Sequence, residues 1–445
     1  MADDATTHDI IILGAGAAGL MAAIACGEEA LARGKKMPHI TLLEKNQHPG
    51  IKVLVCGGGR CNLTNVGNLD FLIAQFGRNG RFLTPALHKL DNTALRQWLA
   101  KRGVPTHEEH DGKIYPDSNK ASSVVNALVQ RLRELHVEIL APCTAQSVTW
   151  DAPGCSFTIT THTGLPLQSR ILLIAVGGQS YTRMGTTGDG YRLAGMLGHR
   201  VITPRPAIVP LLCKEPWIRE LQGLAVADVL VRIAAPGPLP QLATGKPEPS
   251  INDLLFTHFG LSGPAVLNIS EVVAELLEKF PEIVLGVDFV RHQSHMALAT
   301  LLRCWHTTAG KKLVRSKLAE LVPQRLADMF CRFADIKQGQ CCANLTAAQM
   351  HKLLEQLKNS HFTVYGTRGF KEAMVTAGGV RLDEIDPHTM QSRLNPQLFL
   401  AGEVLDLTGP SGGYNLQLAF STGWLAGVSM ARQLPQTSYS PAPPV

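Results

Sequence analysis

Two cysteines frame a glycine run in VCGGGRCNLTN, residues 55–65. Cys56 and Cys61 are spaced as a thiol pair that can open and close a redox disulfide. The three glycines between them argue for another use. Inside a helix each would cost about 1 kcal/mol relative to alanine, so residues 57–59 read as a loop. Glycine lets such a loop lie against a ligand and offer it N–H groups. A loop carrying a small thiol is therefore favoured over a catalytic dithiol. Whether the two sulfurs join stays open at this point.

The loop needs a scaffold, and the first residues describe one. HDIIILGAGAAGLMAAIACGEEAL reads as a strand over Asp9–Leu13, a tight turn, and an Ala-rich helix. Gly14, Gly16 and Gly19 form G-x-G-x-x-G. The first glycine permits the turn, the second lets a pyrophosphate approach the backbone, and the third lets helix and strand pack closely. The helix N-terminus then presents unpaired N–H groups to the phosphates. A second strand, HITLLEK, ends in Glu44, whose carboxylate suits the hydroxyls of an adenosine ribose.

FAD and NAD share this pattern, and three later segments favour FAD. SRILLIAVGGQS runs as an apolar strand into Gly177 and Gly178. NPQLFLAGEVLD predicts a strand over Leu398–Ala401 followed by Gly402 and Glu403. In FAD proteins of the glutathione-reductase type an acid at that place holds a ribityl hydroxyl. Gly412 and Gly413 then open a helix whose dipole would stabilise negative charge on a reduced flavin. Only one G-x-G-x-x-G is present, so no second, dedicated NAD(P)H domain is visible.

The bulk numbers narrow the class. A chain of 445 residues is too long for one core and predicts two or three domains. A 45% hydrophobic and 18% charged composition is that of a soluble globular protein. The net charge of +6 is scattered, with no basic stripe or interleaved aromatics, so nucleic acid is not the expected partner. Ten cysteines without a framework spacing fit a reducing, cytoplasmic setting. The polar start is no secretory signal, and no apolar run is long enough for a membrane span.

Together, CGGGRCNLTN, TGDGYRLAGMLGH, FTHFGLSGPAVLNIS, VTAGGVRLDEIDPHTMQS and LAGEVLDLTGPSGGYNLQLAFSTG resemble the bacterial aminoacetone-oxidase and BaiN-type family of NAD(P)/FAD-dependent oxidoreductases. The likeness runs from about residue 8 to 432. It implies an α/β fold: a glutathione-reductase-like FAD-binding Rossmann domain with an inserted β-barrel-like domain and a small helical domain. The sequence suggests boundaries of 1–198 and 366–433 for the FAD domain. It suggests 199–270 with 346–365 for the β-rich insert, 271–345 for the helical part, and 434–445 for a disordered tail. In the helical stretch Thr346 and Gln349 make a capping box.

The resemblance also implies that the glycine loop wraps the FAD, with binding roles for Arg60, Cys61, Asn62 and Leu63. Arg60 would neutralise phosphate charge. Cys56 departs from the serine usual there. The full expected cofactor set adds Gly14, Ala15, Gly16, Ala18, Gly19, Glu44, Lys45, Ala145, Gly177, Gly178, Gly402, Glu403, Gly413, Asn415 and Leu416.

Catalytic residues are harder to read. His258 and Tyr414 are the candidate proton donors, with Tyr181 a further group that could orient substrate. His258 reads as the start of a helix, where capping is the commoner role, and Asp189 reads as an N-cap. No histidine or cysteine spacing marks a metal site; adjacent Cys341 and Cys342 lack a second pair. The expected protein is a flavoenzyme with non-covalent FAD. It would pass hydride between a small organic substrate and NAD(P)H or oxygen. Members of the resembled family are linked to amine oxidation and to steroid enone reduction. The rivals are an FAD-containing RNA-modifying protein and a flavin-bound sensor. Specificity is expected to lie in residues 199–365.

Overall fold

The computed structural model describes residues 7–164, 166–234, 240, 242 and 248–435. The expected disordered tail falls largely outside these. The chain divides into two compact units, residues 1–205 with 374–445 and residues 206–373. Boundaries expected at 199 and 366 compare with these limits.

The first unit is built on a mixed sheet. Its parallel strands lie in the order Glu138–Leu140, Ile40–Leu43, Thr7–Leu13 and Pro166–Ile174, and Leu398–Leu400 pairs with the last of them. Ile10, Ile11, Ile12 and Leu13 are buried on both faces, as a strand inside a parallel sheet must be. The antiparallel strands Ala145–Asp151 and Ser156–Thr161 extend the sheet beyond Pro166–Ile174.

Two helices cover the centre, Ala17–Ala32 and Tyr414–Gln433. Both are rich in small residues, and their backbones nearly touch. A methyl group on Gly423 would come within 2.3 Å of the Ala18 carbonyl oxygen, and one on Gly427 within 2.2 Å of that of Ala22. The late helix thus completes a domain begun by the first residues.

The second unit is a closed six-stranded barrel with helices packed on it. Leu211–Cys213, Gly260–Ser262, Ser250–Phe256, Ala225–Ile233, Ile283–Asp288 and Ser360–Thr367 pair in turn around the ring. Phe256 and Phe362 from the barrel share one apolar cluster with Trp305 and Phe330 from the helices. The expected helical span, 271–345, therefore contains a barrel strand, Ile283–Asp288. The helix that the capping box predicts is Ala347–Asn359, and it precedes the barrel strand Ser360–Thr367 within the span assigned to the β-rich insert. The Thr346–Gln349 capping box is present with both bonds formed.

Candidate functional site

The glycine turn is assembled by backbone contacts that tolerate no side chain. Gly14 has φ +96° and donates its N–H to Leu43 O at 2.8 Å. Ala15 N–H donates to Glu44 Oε2 at 3.0 Å, and Asn46 N–H and Nδ2 both reach Glu44 Oε1 at 2.8 Å. Glu44 thus locks the turn to the end of the second strand, and its Oε2 keeps a lone pair. Gly16 caps the first helix without any side-chain hydrogen bond. A Cβ placed on it would meet nothing within 4 Å. The helix start is thus uncapped and open at Gly16, the arrangement a diphosphate requires.

A short helix, Ile51–Val55, is tied to this turn by Gly50 N–H donating to Ala15 O at 2.8 Å. It runs into the loop Cys56–Gly59, where Gly57 and Gly58 take left-handed φ values of 58° and 67°. The stretch is a broken turn rather than a helix, and both cysteines are free thiols. Burial raises the Cys56 thiol pKa to about 11 and pushes that of Cys61 up further. Cys61 itself has φ +67° and donates its N–H to Cys56 O. The Asn62 side-chain amide donates to Thr64 O at 3.0 Å and accepts from Gly413 N–H at 3.1 Å, joining the loop to the last helix. Leu63 is fully buried.

Arg60 is engaged by its own protein neighbours. Its guanidinium pairs with Glu109 at 2.5 Å, bonds Asn119, and lies 4.0 Å over the Tyr115 ring. A local carboxylate and ring claim the charge that the sequence assigned to a ligand. Lys45 is likewise engaged, with Nζ 2.9 Å from Asp189 Oδ2 and 2.7 Å from Thr187 Oγ1. Asp189 is the first residue of its helix, and Gly188 takes the N-cap place expected for it. Burial favours the neutral Asp189 carboxyl, but Lys45 and Thr187 outweigh it and hold the pKa below the usual range.

Glu403 stands at the centre of a group that sequence reasoning did not assemble. Its Oε1 accepts from Ser180 Oγ at 2.8 Å and from Thr376 N–H at 2.7 Å. Its Oε2 pairs with Lys52 Nζ at 2.5 Å, and Lys52 also donates to Ser180 Oγ at 2.6 Å. The Lys52 and Glu403 side chains are only 21% and 16% exposed. Gly177 and Gly178 back onto this acid: a Cβ on Gly178 would stand 3.0 Å from Glu403 Oε1. Gly402 abuts the first helix, with a hypothetical Cβ 2.9 Å from that of Ala18. Lys52 was legible only as a lone cation in the apolar run IKVLV.

The last helix begins at Tyr414 with Gly413 as its N-cap and no side-chain cap. Asn415 closes the preceding loop through Gly409 N–H and the carbonyls of Gly409 and Pro410. Leu416 packs against the core. Tyr414 is buried, which raises its phenol pKa, as it does for Tyr181, a non-glycine residue at φ +54°. Ala145 is the buried first residue of its strand.

His258 does not begin a helix. It is exposed, in the bend of a hairpin of the second unit between Ser250–Phe256 and Gly260–Ser262. Thr257 closes that bend, its Oγ1 accepting from Gly260 N–H and donating to Gly260 O. Among the described residues His8, His39 and Glu138 bring possible metal-ligand atoms within 4.8 Å. The two rings lie 4.5 Å apart at only 30°. Imidazole lone pairs lie in the ring planes, so these two cannot converge on one ion about 2 Å from each nitrogen. Among the described residues no helix is long and apolar enough to cross a membrane.

The uncapped first helix, its open Gly16 face and the acid at the second strand fit FAD, and the fold and site define an FAD-dependent oxidoreductase. The chain belongs to the HI0933-like family, matching the HI0933-like protein Rossmann domain over residues 8–429. It is 32% identical over 425 residues to a 3-dehydro-bile acid delta(4,6)-reductase of Clostridium scindens, covering 95% of this chain and 98% of that one. It is 31% identical over 417 residues to a ribosomal RNA dihydrouridine synthase of Escherichia coli, covering 94% and 96%. In fold it is similar to a 3-ketosteroid delta1-dehydrogenase of Sterolibacterium denitrificans. That match has a TM-score of 0.52 at 12% identity and covers 96% of this chain and 100% of that one.

Proposed function

We propose that this protein reduces a carbon–carbon double bond conjugated to a carbonyl, using non-covalently bound FAD and electrons from NAD(P)H. The observation that carries this reading is the chemistry common to two full-length relatives. A delta(4,6)-reductase acting on a 3-dehydro bile acid and a dihydrouridine synthase carry different names. Yet the 4,6 double bonds of a 3-ketosteroid and the C5–C6 bond of uridine are both conjugated to a ketone or amide carbonyl. Each is open to hydride at the carbon remote from the oxygen and to a proton at the carbon beside it.

When bound, FAD supplies the hydride chemistry. In this reading the first unit holds it. The N–H groups after Gly16 take the diphosphate, Glu44 takes the ribose, and the turns at Gly177, Gly178 and Gly402 let the backbone approach. Cys61, Asn62 and Leu63 shape the loop, and the last helix, opened by Gly413, Asn415 and Leu416, would offer its N-terminal N–H groups to the bound FAD. Arg60 and Lys45 act on the protein's own carboxylates instead. Tyr414, its pKa raised by burial, stays protonated at neutral pH and belongs to the unit that holds FAD in this reading, so it is taken as the proton donor. His258 sits exposed in the second unit.

The second reading, reduction of uridine within RNA, is favoured by the dihydrouridine synthases of Escherichia coli and Haemophilus influenzae. One experiment separates the readings. The yellow protein is mixed anaerobically with NADH or NADPH, and the flavin absorbance is followed. A 3-oxo-4,6-diene steroid or unmodified ribosomal RNA is then added. Bleaching by nicotinamide with recovery on steroid supports the small-molecule reading, and recovery on RNA the other. No bleaching by either nucleotide, with reduction by amines and fast reoxidation in air, would make the protein an oxidase and overturn the proposal.

A further inference from the structure

Lys52 is the sole cation of the Ile51–Val55 helix, and nothing in the binding scheme above uses it. Its ammonium carries three N–H donors, of which Ser180 and Glu403 take two. The group is held at both ends of the cofactor-binding backbone. Its helix hangs from the glycine turn through Gly50 and Ala15, and its acidic partner follows Gly402, which rests on Ala18. Glu403 and Ser180 offset the hydration this lysine loses, and they fix where its remaining N–H can point.

We propose that Lys52 is the residue that sets the redox potential of the bound flavin, with Glu403 and Ser180 as the positioning residues that hold its ammonium. The inference rests on the FAD reading of this site. Adding two electrons and one proton to the neutral oxidised ring leaves one net negative charge. A fixed ammonium nearby favours that charged form, and its spare N–H offers the ring a hydrogen bond. Glu403 would then act chiefly through Lys52, rather than by holding a ribityl hydroxyl itself. Three of the contacts to its carboxylate already come from the protein.

The test compares wild type, K52M and K52R, each reconstituted with FAD and titrated with dithionite against an indicator dye at pH 7. K52M is expected to retain FAD at a lower midpoint potential, and K52R to stay at the wild-type value. K52M holding FAD at the wild-type potential would overturn the inference while leaving the FAD reading standing. A wild-type chain that binds no FAD would instead sink the reading itself. K52Q replaces K52M if that chain does not fold. A folded K52M or K52Q that binds no flavin would make Lys52 a residue for holding the cofactor rather than for setting its potential, and would overturn the inference. Lost flavin or a lowered potential in K52R as well would assign the side chain to packing and overturn the inference.

Discussion

The carbonyl oxygen of Gly14 stands 1.9 Å from where a Cβ on Gly19 would be. The turn and the helix that follows it are in backbone contact, and the third glycine of the pattern is where they meet. Neither side can yield, because Gly14 is itself pressed between Leu43 and Ala175.

G19A is expected to destabilise the chain by about 1–3 kcal/mol, the usual cost of overpacking, and to purify with little flavin. G16A is the contrasting case, since its added methyl meets nothing. It should fold within about 1 kcal/mol of wild type yet bind FAD about tenfold more weakly, a cost of roughly 1.4 kcal/mol. Urea denaturation and FAD titration read the two effects separately.

Breaking the Lys52–Glu403 pair leaves an ammonium short of its counter-charge. A fully buried pair loses about 3–5 kcal/mol on such a change. Partial exposure of both side chains lets water screen the loss, so E403Q is expected to cost about 1–2 kcal/mol. The K52M/E403Q double variant should recover part of this. Additive losses in denaturant midpoints would show that the two residues are not coupled.

Cys56 should be a slow nucleophile. With its pKa near 11, only a minute fraction is thiolate at pH 7.5. Iodoacetamide followed by peptide mapping should label the exposed Cys155 and Cys304 first. Labelling of Cys56 should accelerate only as the pH climbs toward 11. Rapid labelling at pH 7.5 would contradict the raised pKa.

The first unit should lose stability in mild acid. His199 is buried with Nδ1 3.0 Å from Glu384 and Nε2 2.9 Å from Ser392. Burial lowers its pKa, more than the neighbouring Glu384 raises it. Burial alone would raise the Glu384 pKa, but bonds from Arg200 and His199 bring it below the usual value. In both cases the unfolded chain takes its proton at a higher pH than the folded one. Stability therefore falls as pH drops below about 6.5 for His199, and again below about 4.3 for Glu384. H199Q should flatten the first decline in melting temperature and keep most of the second, because Arg200 still bonds Glu384.

The glycine-marked parts of the site could be read directly because their chemistry is local. Gly14, Gly16 and Gly19 act within one turn, and Gly413 caps the helix it precedes. Glu403 was legible as the acid that ends a late strand, but Lys52, Ser180 and Thr376 gave no such signal, since their shared partner lies far along the chain. Arg60 misled for the same reason: Glu109 and Asn119, not phosphate, complete its surroundings. Ile283–Asp288 was taken as part of a helical stretch because a short apolar run carries no distinguishing period. Its role becomes evident only beside Ala225–Ile233 and Ser360–Thr367.

The strand Leu398–Leu400 pairs with Pro166–Ile174, yet the whole barrel unit is encoded between them. On the ribosome, at about 5–20 residues per second, the glycine turn waits tens of seconds for its last strand and covering helix. The barrel unit has its own core and can fold in that interval. The dinucleotide fold lacks its last strand and covering helix until Leu398–Leu400 and Tyr414–Gln433 have emerged. Flavin capture is thereby held back until the barrel unit has been made, and a ribosome that stalls before residue 398 releases a chain that should stay colourless.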